Sequence, residues 1–320
     1  MRRRGERAAT SRVHMRLDLF AAILASALAV GACGGGSDGA SPASSRKTIV
    51  VTYSVLGAVV RDLVGDAANV VVLMPNGADP HEWEPSAKDI EAVTKADLLV
   101  ENGLNLEGGM ANAFEQAAQA GVRRFVAADH VTVRTVGAGE GAGAADPDQA
   151  QGAPDPHLWM DPLTVKQVVD ALAPALQTEL GIDVGGRLAG LDGRLEALDA
   201  QVRTILQVVP VAKRKLVTGH ESLGYFAARY GFTLIGAVIP SLTTQAEASA
   251  ADLAALADKI RAAGVGAVFT ELGTPPQVAQ AIGRETGARV IELATHVLPA
   301  DGSYDTFMLQ MATLVADNLR

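Results

Sequence analysis

The sequence predicts an α/β protein: two parallel-sheet lobes, each covered by helices, joined by one long rigid helix. Three observations carry that expectation. Short β-rich runs alternate with helical runs in two separate series. The central strand runs are apolar on both faces, which suits a parallel sheet with helices on either side. One long amphipathic stretch, with leucines at spacings of three and four, separates the two series.

The first series opens with strand "TIVVTY" from Thr48, then helix "VLGAVVRDLVG", ending at Gly65. Strand "NVVVLM", helix "PSAKDIEAVTKA", strand "DLLVEN", helix "LEGGMANAFEQAAQAG" and strand "RRFVAA" follow. Composition then shifts. Residues 137–156, "GAGEGAGAADPDQAQGAPDP", lack either periodicity and read as a mobile loop. Helical segments run from Pro162 to about Leu180 and from about Val184 to Val209, the second suited to a spine between lobes. The second series is strand "KLVTGH", helix "SLGYFAARYG", strand "FTLIGAVI", helix "SAADLAALADKIRAAG", strand "VGAVFTE", helix "PPQVAQAIGRETG", strand "ARVIEL" and a helix from about Asp305. Ser249 and Gly264 have the chemistry of an N-cap and a helix stop. The expected organisation is an N-terminal lobe at 48–182, a linking helix at 183–210 and a C-terminal lobe at 211–320.

The chain has 320 residues, 48% of them hydrophobic, enough for two cores. Formal net charge is -9, and beyond residue 33 there are 21 basic against 34 acidic side chains. Such a surface repels phosphates, so no nucleic-acid partner is expected. Cys33 is the one cysteine, which excludes an intrachain disulfide. It closes "LFAAILASALAVGAC", an apolar run of signal-peptide length preceded by arginines. "VGAC" resembles a bacterial lipobox, in which the cysteine is lipidated and becomes the mature N-terminus. Residues 1–33 then form a lipoprotein signal, with Met15 an alternative start, and residues 34–47 a flexible Gly/Ser tether. The expected location is extracytoplasmic: lipid-anchored on the outer face of the cytoplasmic membrane, or periplasmic.

Ligands of open parallel sheets bind beyond the carboxyl ends of the strands, so histidines after strands are the candidates. His130 reads as an ordinary loop residue. "GADPHEWEPS" and "APDPHLWMDP" are two versions of one phrase, D-P-H-x-W, around His81 and His157. Proline before the histidine fixes the chain's approach, and tryptophan two residues on packs a ring beside it. Preorganised neutral imidazoles suit Zn²⁺. His81 to His220 and His157 to His296 are both separated by 139 positions, as if two lobes presented equivalent positions. Glu82 and Glu221 adjoin candidate ligands, and Asp155 and Asp161 flank His157. Each is either an orienting partner for an imidazole or a solvated acid.

The chain resembles the metal-binding solute-binding lipoproteins of zinc and manganese ABC transporters, the cluster A-I family. The resemblance runs in order through "GADPHEWEPSAKDI", "DLLVENGLNLE", "DPHLWMDP", "LVTGHESLGYFAARYG", "SLTTQAEASAADL", "VFTELGTPP" and "GSYDTFM". It implies one metal ion in the interlobe cleft, delivered to a permease with its ATPase. It implies His81, His157 and His220 as ligands. Many members carry Asp at the fourth position, where this chain has His296 in "THVL", with Glu271 as the alternative. Four imidazoles favour Zn²⁺ over Mn²⁺, which prefers oxygen donors.

A monomer that captures Zn²⁺ for uptake is therefore expected, with small lobe adjustments rather than wide closure. A manganese-binding transport protein or a surface adhesin of the same fold is the alternative. A secreted zinc hydrolase is disfavoured, because there is no H-E-x-x-H and four histidines leave no open position. Nor is "TGHESLGYF" a nucleophile elbow: two residues before Ser222 stands His220, not glycine. Ser222 reads instead as the start of the helix through "YFAARYG". The expectation is no enzyme.

Overall fold

The computed structural model describes residues 46–137, 140 and 151–320. The expected signal, Cys33 and most of the tether lie outside these residues, as does most of the loop at 137–156. Among the described residues no helix is long and apolar enough to cross a membrane.

Two four-stranded parallel sheets form the scaffold. The first holds β1 (Thr48–Val51), β2 (Asn69–Val72), β3 (Leu98–Glu101) and β4 (Arg123–Val126), in spatial order β2-β1-β3-β4. Its connecting helices are α1 (Ser54–Val64), α2 (Ala87–Thr94) and α3 (Ala111–Gln119). The second holds β5 (Lys215–Thr218), β6 (Thr233–Ala237), β7 (Ala267–Thr270) and β8 (Arg289–Glu292), in order β6-β5-β7-β8. Its helices are α6 (Gly224–Tyr230), α7 (Ala250–Ala263) and α8 (Pro276–Thr286). The two orders are the same, so each sheet reverses direction of winding at its two central strands, where ligand crevices form. Central β1, β3 and β7 are buried almost throughout, as their unbroken apolar runs require.

Helices α4 (Pro162–Leu180) and α5 (Gly185–Leu206) run between the sheets in sequence, and α9 (Tyr304–Leu319) ends the chain. α5 packs chiefly on α9 and α4. Glycines at 190 and 193, in the interior of α5, each cost about 1 kcal/mol relative to Ala. Leu191, Leu195, Leu198, Val202 and Leu206 are buried on one stripe. At roughly 1.5–3 kcal/mol per buried side chain, that stripe outweighs the glycines, so packing holds the helix that propensity would not. The main core runs through α1, α4, α5, α9 and parts of both sheets, from Ile49 to Leu319, and a second cluster, including Val217, Val268, Leu256, Ile260 and Ile282, lies under α7 and α8.

Helix boundaries follow local chemistry. Ser86 and Ser249 each form a capping box, with Asp89 and Asp252, and Gly264 ends α7 in the left-handed conformation. One expected start is corrected. The helix after β5 begins at Gly224 rather than Ser222. Ser222 N–H turns back to the carbonyl of His220 at 2.9 Å, and its hydroxyl is engaged by Glu271.

Candidate metal centre

His81, His157, His220 and His296 come together, each offering one ring nitrogen, with these atoms all within 4.8 Å of one another. All four residues are buried. They arrive on loops that follow β2, β4, β5 and β8, two from each sheet. The repeated D-P-H phrase does the same work twice. Asp79 Oδ1 accepts the backbone N–H of His81 at 3.0 Å, and Asp155 Oδ1 accepts that of His157 at 3.0 Å. In each case an aspartate two residues back closes the turn that aims the imidazole.

The Nε2 atoms converge. His81 and His157 are 3.4 Å apart there, and His157 and His220 3.1 Å. Donors at 2.0–2.1 Å from a tetrahedral zinc ion stand about 3.3 Å from each other. Nε2 of His296 is buried without a hydrogen-bond partner. In His157, His220 and His296 the Nδ1 side of the ring lies beside an oxygen. His157 Nδ1 lies 2.8 Å from Asp155 Oδ1, which leaves Nε2 with its lone pair. His220 Nδ1 is 3.1 Å from Glu271 Oε1, at ion-pair distance but out of hydrogen-bond alignment. His296 Nδ1 is 3.0 Å from the hydroxyl of Thr295.

Burial sets the protonation of the rings. It lowers His81 well below the usual imidazole value, and His220, His157 and His296 push the same way. It lowers His157 too, outweighing the hydrogen bond to Asp155. It brings His296 down to about 3, with His220 adding to the effect. His220 is the exception: burial lowers it, but the charge of Glu271 prevails and the net shift is upward. Glu271 itself is held at about 2, because His220 overcomes the burial that would raise it. Three of the four rings are thus already in the neutral form that binds metal.

Glu271 stands outside the four-residue group. Its Oε1 accepts the His220 backbone N–H at 3.0 Å, and its Oε2 accepts hydroxyls from Ser222 at 2.7 Å and Thr295 at 2.5 Å. Both of its oxygens are engaged behind the histidines, and His296 completes the group. The orienting acids expected from chain adjacency need correction. Glu82 is exposed and, among the described residues, makes no hydrogen bond or ion pair with an imidazole. Asp161 caps α4 and takes a two-pronged hydrogen bond from Arg229, at 2.9 Å on each oxygen. Glu221 bonds to no imidazole among the described residues; burial and the charges of Asp155 and Glu140 raise it to about 7. The acids on the rings are Asp155 and Glu271. His130 stacks on Phe125, at 4.5 Å between centroids, away from the group.

A cavity of about 410 Å³ reaches the centre at His81, between Leu104 and Asn105 on one side and Leu242, Thr243 and Gln245 on the other. His81 is 5% exposed, against 0% for His157 and His220. His296 is 2% exposed, so His81, which lines the cavity, is the most accessible of the four.

With this centre in place, the likeness to known proteins is informative. The family model described as "Zinc-uptake complex component A periplasmic" matches residues 49–318. The chain belongs to this family. Its members are metal-binding substrate-binding proteins of ABC transporters. The zinc-binding protein TroA of Treponema pallidum is 30% identical over 251 residues, covering 77% of this chain and 77% of that protein. The manganese-binding lipoprotein MntA of Halalkalibacterium halodurans is 26% identical over 286 residues, covering 88% and 90%. A crystal structure of a ZnuA deletion mutant with zinc bound superposes with a TM-score of 0.71 at 25% identity, over 86% of this chain and 98% of that one. The TroA structure agrees in fold, with a TM-score of 0.73 over 86% and 99% at 24% identity. Relatives named for zinc and for manganese both occur, so family membership alone leaves the metal open. The donor set of this chain has to decide it.

Proposed function

We infer that this chain captures Zn²⁺ between its lobes and delivers it to an ABC-transporter permease, with an ATPase driving uptake. His81, His157, His220 and His296 hold the ion through Nε2, and Cys33 carries the lipid that keeps a monomer on the outer face of the membrane. The observation that supports zinc most directly is the convergence of Nε2 atoms at 3.1 and 3.4 Å with no carboxylate among them. Four nitrogen donors at that spacing fit a tetrahedral zinc ion, whereas Mn²⁺ favours oxygen donors and more of them. The relative named for manganese favours that metal as the second reading. Binding, not catalysis, follows from the same set: four protein donors leave no position for a metal-bound water.

Elemental analysis of the purified protein, followed by competition between Zn²⁺ and Mn²⁺, tests the reading. Zinc is expected to displace manganese. Manganese retained against excess zinc would transfer the assignment to Mn²⁺. Calorimetry on His296→Ala tests the fourth donor, and an unchanged zinc affinity would remove it.

A further inference from the structure

Thr295 has one hydroxyl proton and two neighbours that could take it. Its Oγ1 is 2.5 Å from Glu271 Oε2 and 3.0 Å from His296 Nδ1. Glu271 also accepts from the His220 backbone N–H and from Ser222, a set of donors that suits an ionised carboxylate. The proton of Thr295 therefore goes to Glu271, and its oxygen accepts from Nδ1–H of His296. That fixes the tautomer of His296. Nδ1 carries the proton, and Nε2 carries the lone pair.

Nε2 of His296 is the one Nε2 of the four that is buried with no hydrogen-bond partner. It does not need one if it faces a cation, and it would be a costly orphan otherwise. The backbone around it is held from the opposite side. Trp159 Nε1 donates to the Thr295 carbonyl at 2.9 Å, and Asn76 exchanges two hydrogen bonds with the backbone of Leu298, at 2.8 and 2.7 Å. The loop is fixed, so the remaining freedom of His296 is the orientation of its ring, and Thr295 removes it.

We propose that Thr295, anchored on Glu271, is the positioning residue that turns His296 into a nitrogen donor, and so determines the preference of this centre for zinc. The proposal rests on His296 being the fourth ligand. It explains why histidine works at this place. A carboxylate there could bind a cation with either oxygen, but an imidazole binds with Nε2 only as the Nδ1–H tautomer, and an acceptor at Nδ1 holds it in that form and orientation. Glu271 serves both C-terminal imidazoles: His220 by direct approach, and His296 through the threonine. Ser222 completes the arrangement by fixing the carboxylate.

The test compares Thr295→Val, which keeps the shape and removes the hydroxyl, with Thr295→Ser, which restores it. Zinc and manganese affinities are measured by competition with a chromophoric chelator. The visible absorption of the Co²⁺-loaded protein reports donor number and symmetry. Thr295→Val is expected to lose about 10–100-fold in zinc affinity, as outer-partner mutations do. Manganese affinity falls less, and the tetrahedral Co²⁺ bands weaken. Thr295→Ser is expected to restore both. If Thr295→Val fails to fold, Thr295→Ala removes the same hydroxyl without adding bulk. Wild-type zinc affinity and Co²⁺ spectrum in Thr295→Val, with weakened zinc binding in His296→Ala, would overturn the role of Thr295 alone. Unchanged zinc affinity in His296→Ala would overturn the four-histidine reading beneath it.

Discussion

The indole N–H of Trp159 donates to the backbone carbonyl of Thr295 at 2.9 Å, joining the loop that carries His157 to the loop that carries His296. The ring is 2% exposed and packs 5.4 Å from the imidazoles of both residues, centroid to centroid. Tyr304 in turn donates to the Trp159 carbonyl at 2.7 Å, so the start of α9 supports the same junction. Trp159→Phe keeps an aromatic ring and removes the donor. The Thr295 carbonyl is left buried without its partner, a loss of about 1–3 kcal/mol. Thermal unfolding of the metal-free protein should show that loss, and zinc titration a weaker site. Unchanged values in both would mean that the junction does not brace the centre.

Gly224 opens α6 against Asp155. A β-carbon there would stand 2.2 Å from Asp155 Oδ2 and 2.4 Å from Arg134 Nη1. Arginine can move, but Asp155 is fully buried and holds His157 through Nδ1. Gly224→Ala is expected to destabilise the protein by about 1–3 kcal/mol through overpacking. It should also weaken zinc binding, because the atom displaced belongs to the acid that orients His157. Gly186→Ala is the control. A methyl group at Gly186 would meet no other atom within 4 Å, and the change should be neutral or slightly stabilising. Equal zinc affinity in both variants would break the link from Gly224 to His157.

Arg229 and Asp161 tie α6 to the start of α4 by two parallel hydrogen bonds. Asp161 is largely buried and Arg229 partly so. Arg229→Lys keeps the charge but loses the fork. A cost of about 1–2 kcal/mol is expected, below the full value of a buried charge-assisted pair because Arg229 meets solvent. Zinc affinity should hardly change, since neither residue touches an imidazole. A large loss of affinity without a change in melting temperature would restore Asp161 to the metal centre.

The fold, His81 and His157 were legible because they leave local marks, whereas His220 and His296 were reached through their equal spacing from those two and through the family resemblance. Parallel strands buried on both faces read as apolar runs, and D-P-H-x-W repeats around His81 and His157. What lay hidden are partners distant in sequence. Glu271 reaches His220 across 51 positions and Thr295 across 24. Nothing near Glu271 distinguishes an orienting carboxylate from a ligand. Adjacency misled for Glu82, which is exposed beside a buried His81: the tight turn from Asp79 to Trp83 turns successive side chains in different directions. Asp79 and Asp155 carried a readable signal, since an aspartate two residues before a histidine, with proline between, closes a turn onto it; Asp155 also reaches the ring of its histidine. Ser222 looked like a helix start because the chain's turn back onto His220 depends on Glu271, which is not local.

Protons should compete with the metal, and the imidazole shifts give the direction. His81, His157 and His296 are lowered in the folded chain. On unfolding, each returns to an ordinary value near 6.5, so below that pH the unfolded chain binds more protons and the fold loses stability as pH falls. For His296, lowered from 6.5 to about 3, the loss between about pH 6.5 and 5 is roughly 2 kcal/mol. Glu271, lowered from 4.5 to about 2, adds a further loss only below about 4.5. His220 acts oppositely. Its value is raised, so its contribution is complete below 6.5 and disappears as pH rises through the raised value. The three lowered rings outnumber it, and the metal-free protein should melt several degrees lower at about pH 5 than at about pH 7.5. His220 is also the ring that holds a proton nearest neutrality, and zinc must displace it. Calorimetric zinc titration near neutral pH, in buffers of different ionisation enthalpy, should therefore register release of up to one proton. His220→Ala should abolish that release. Release persisting in the variant would assign the proton to another group.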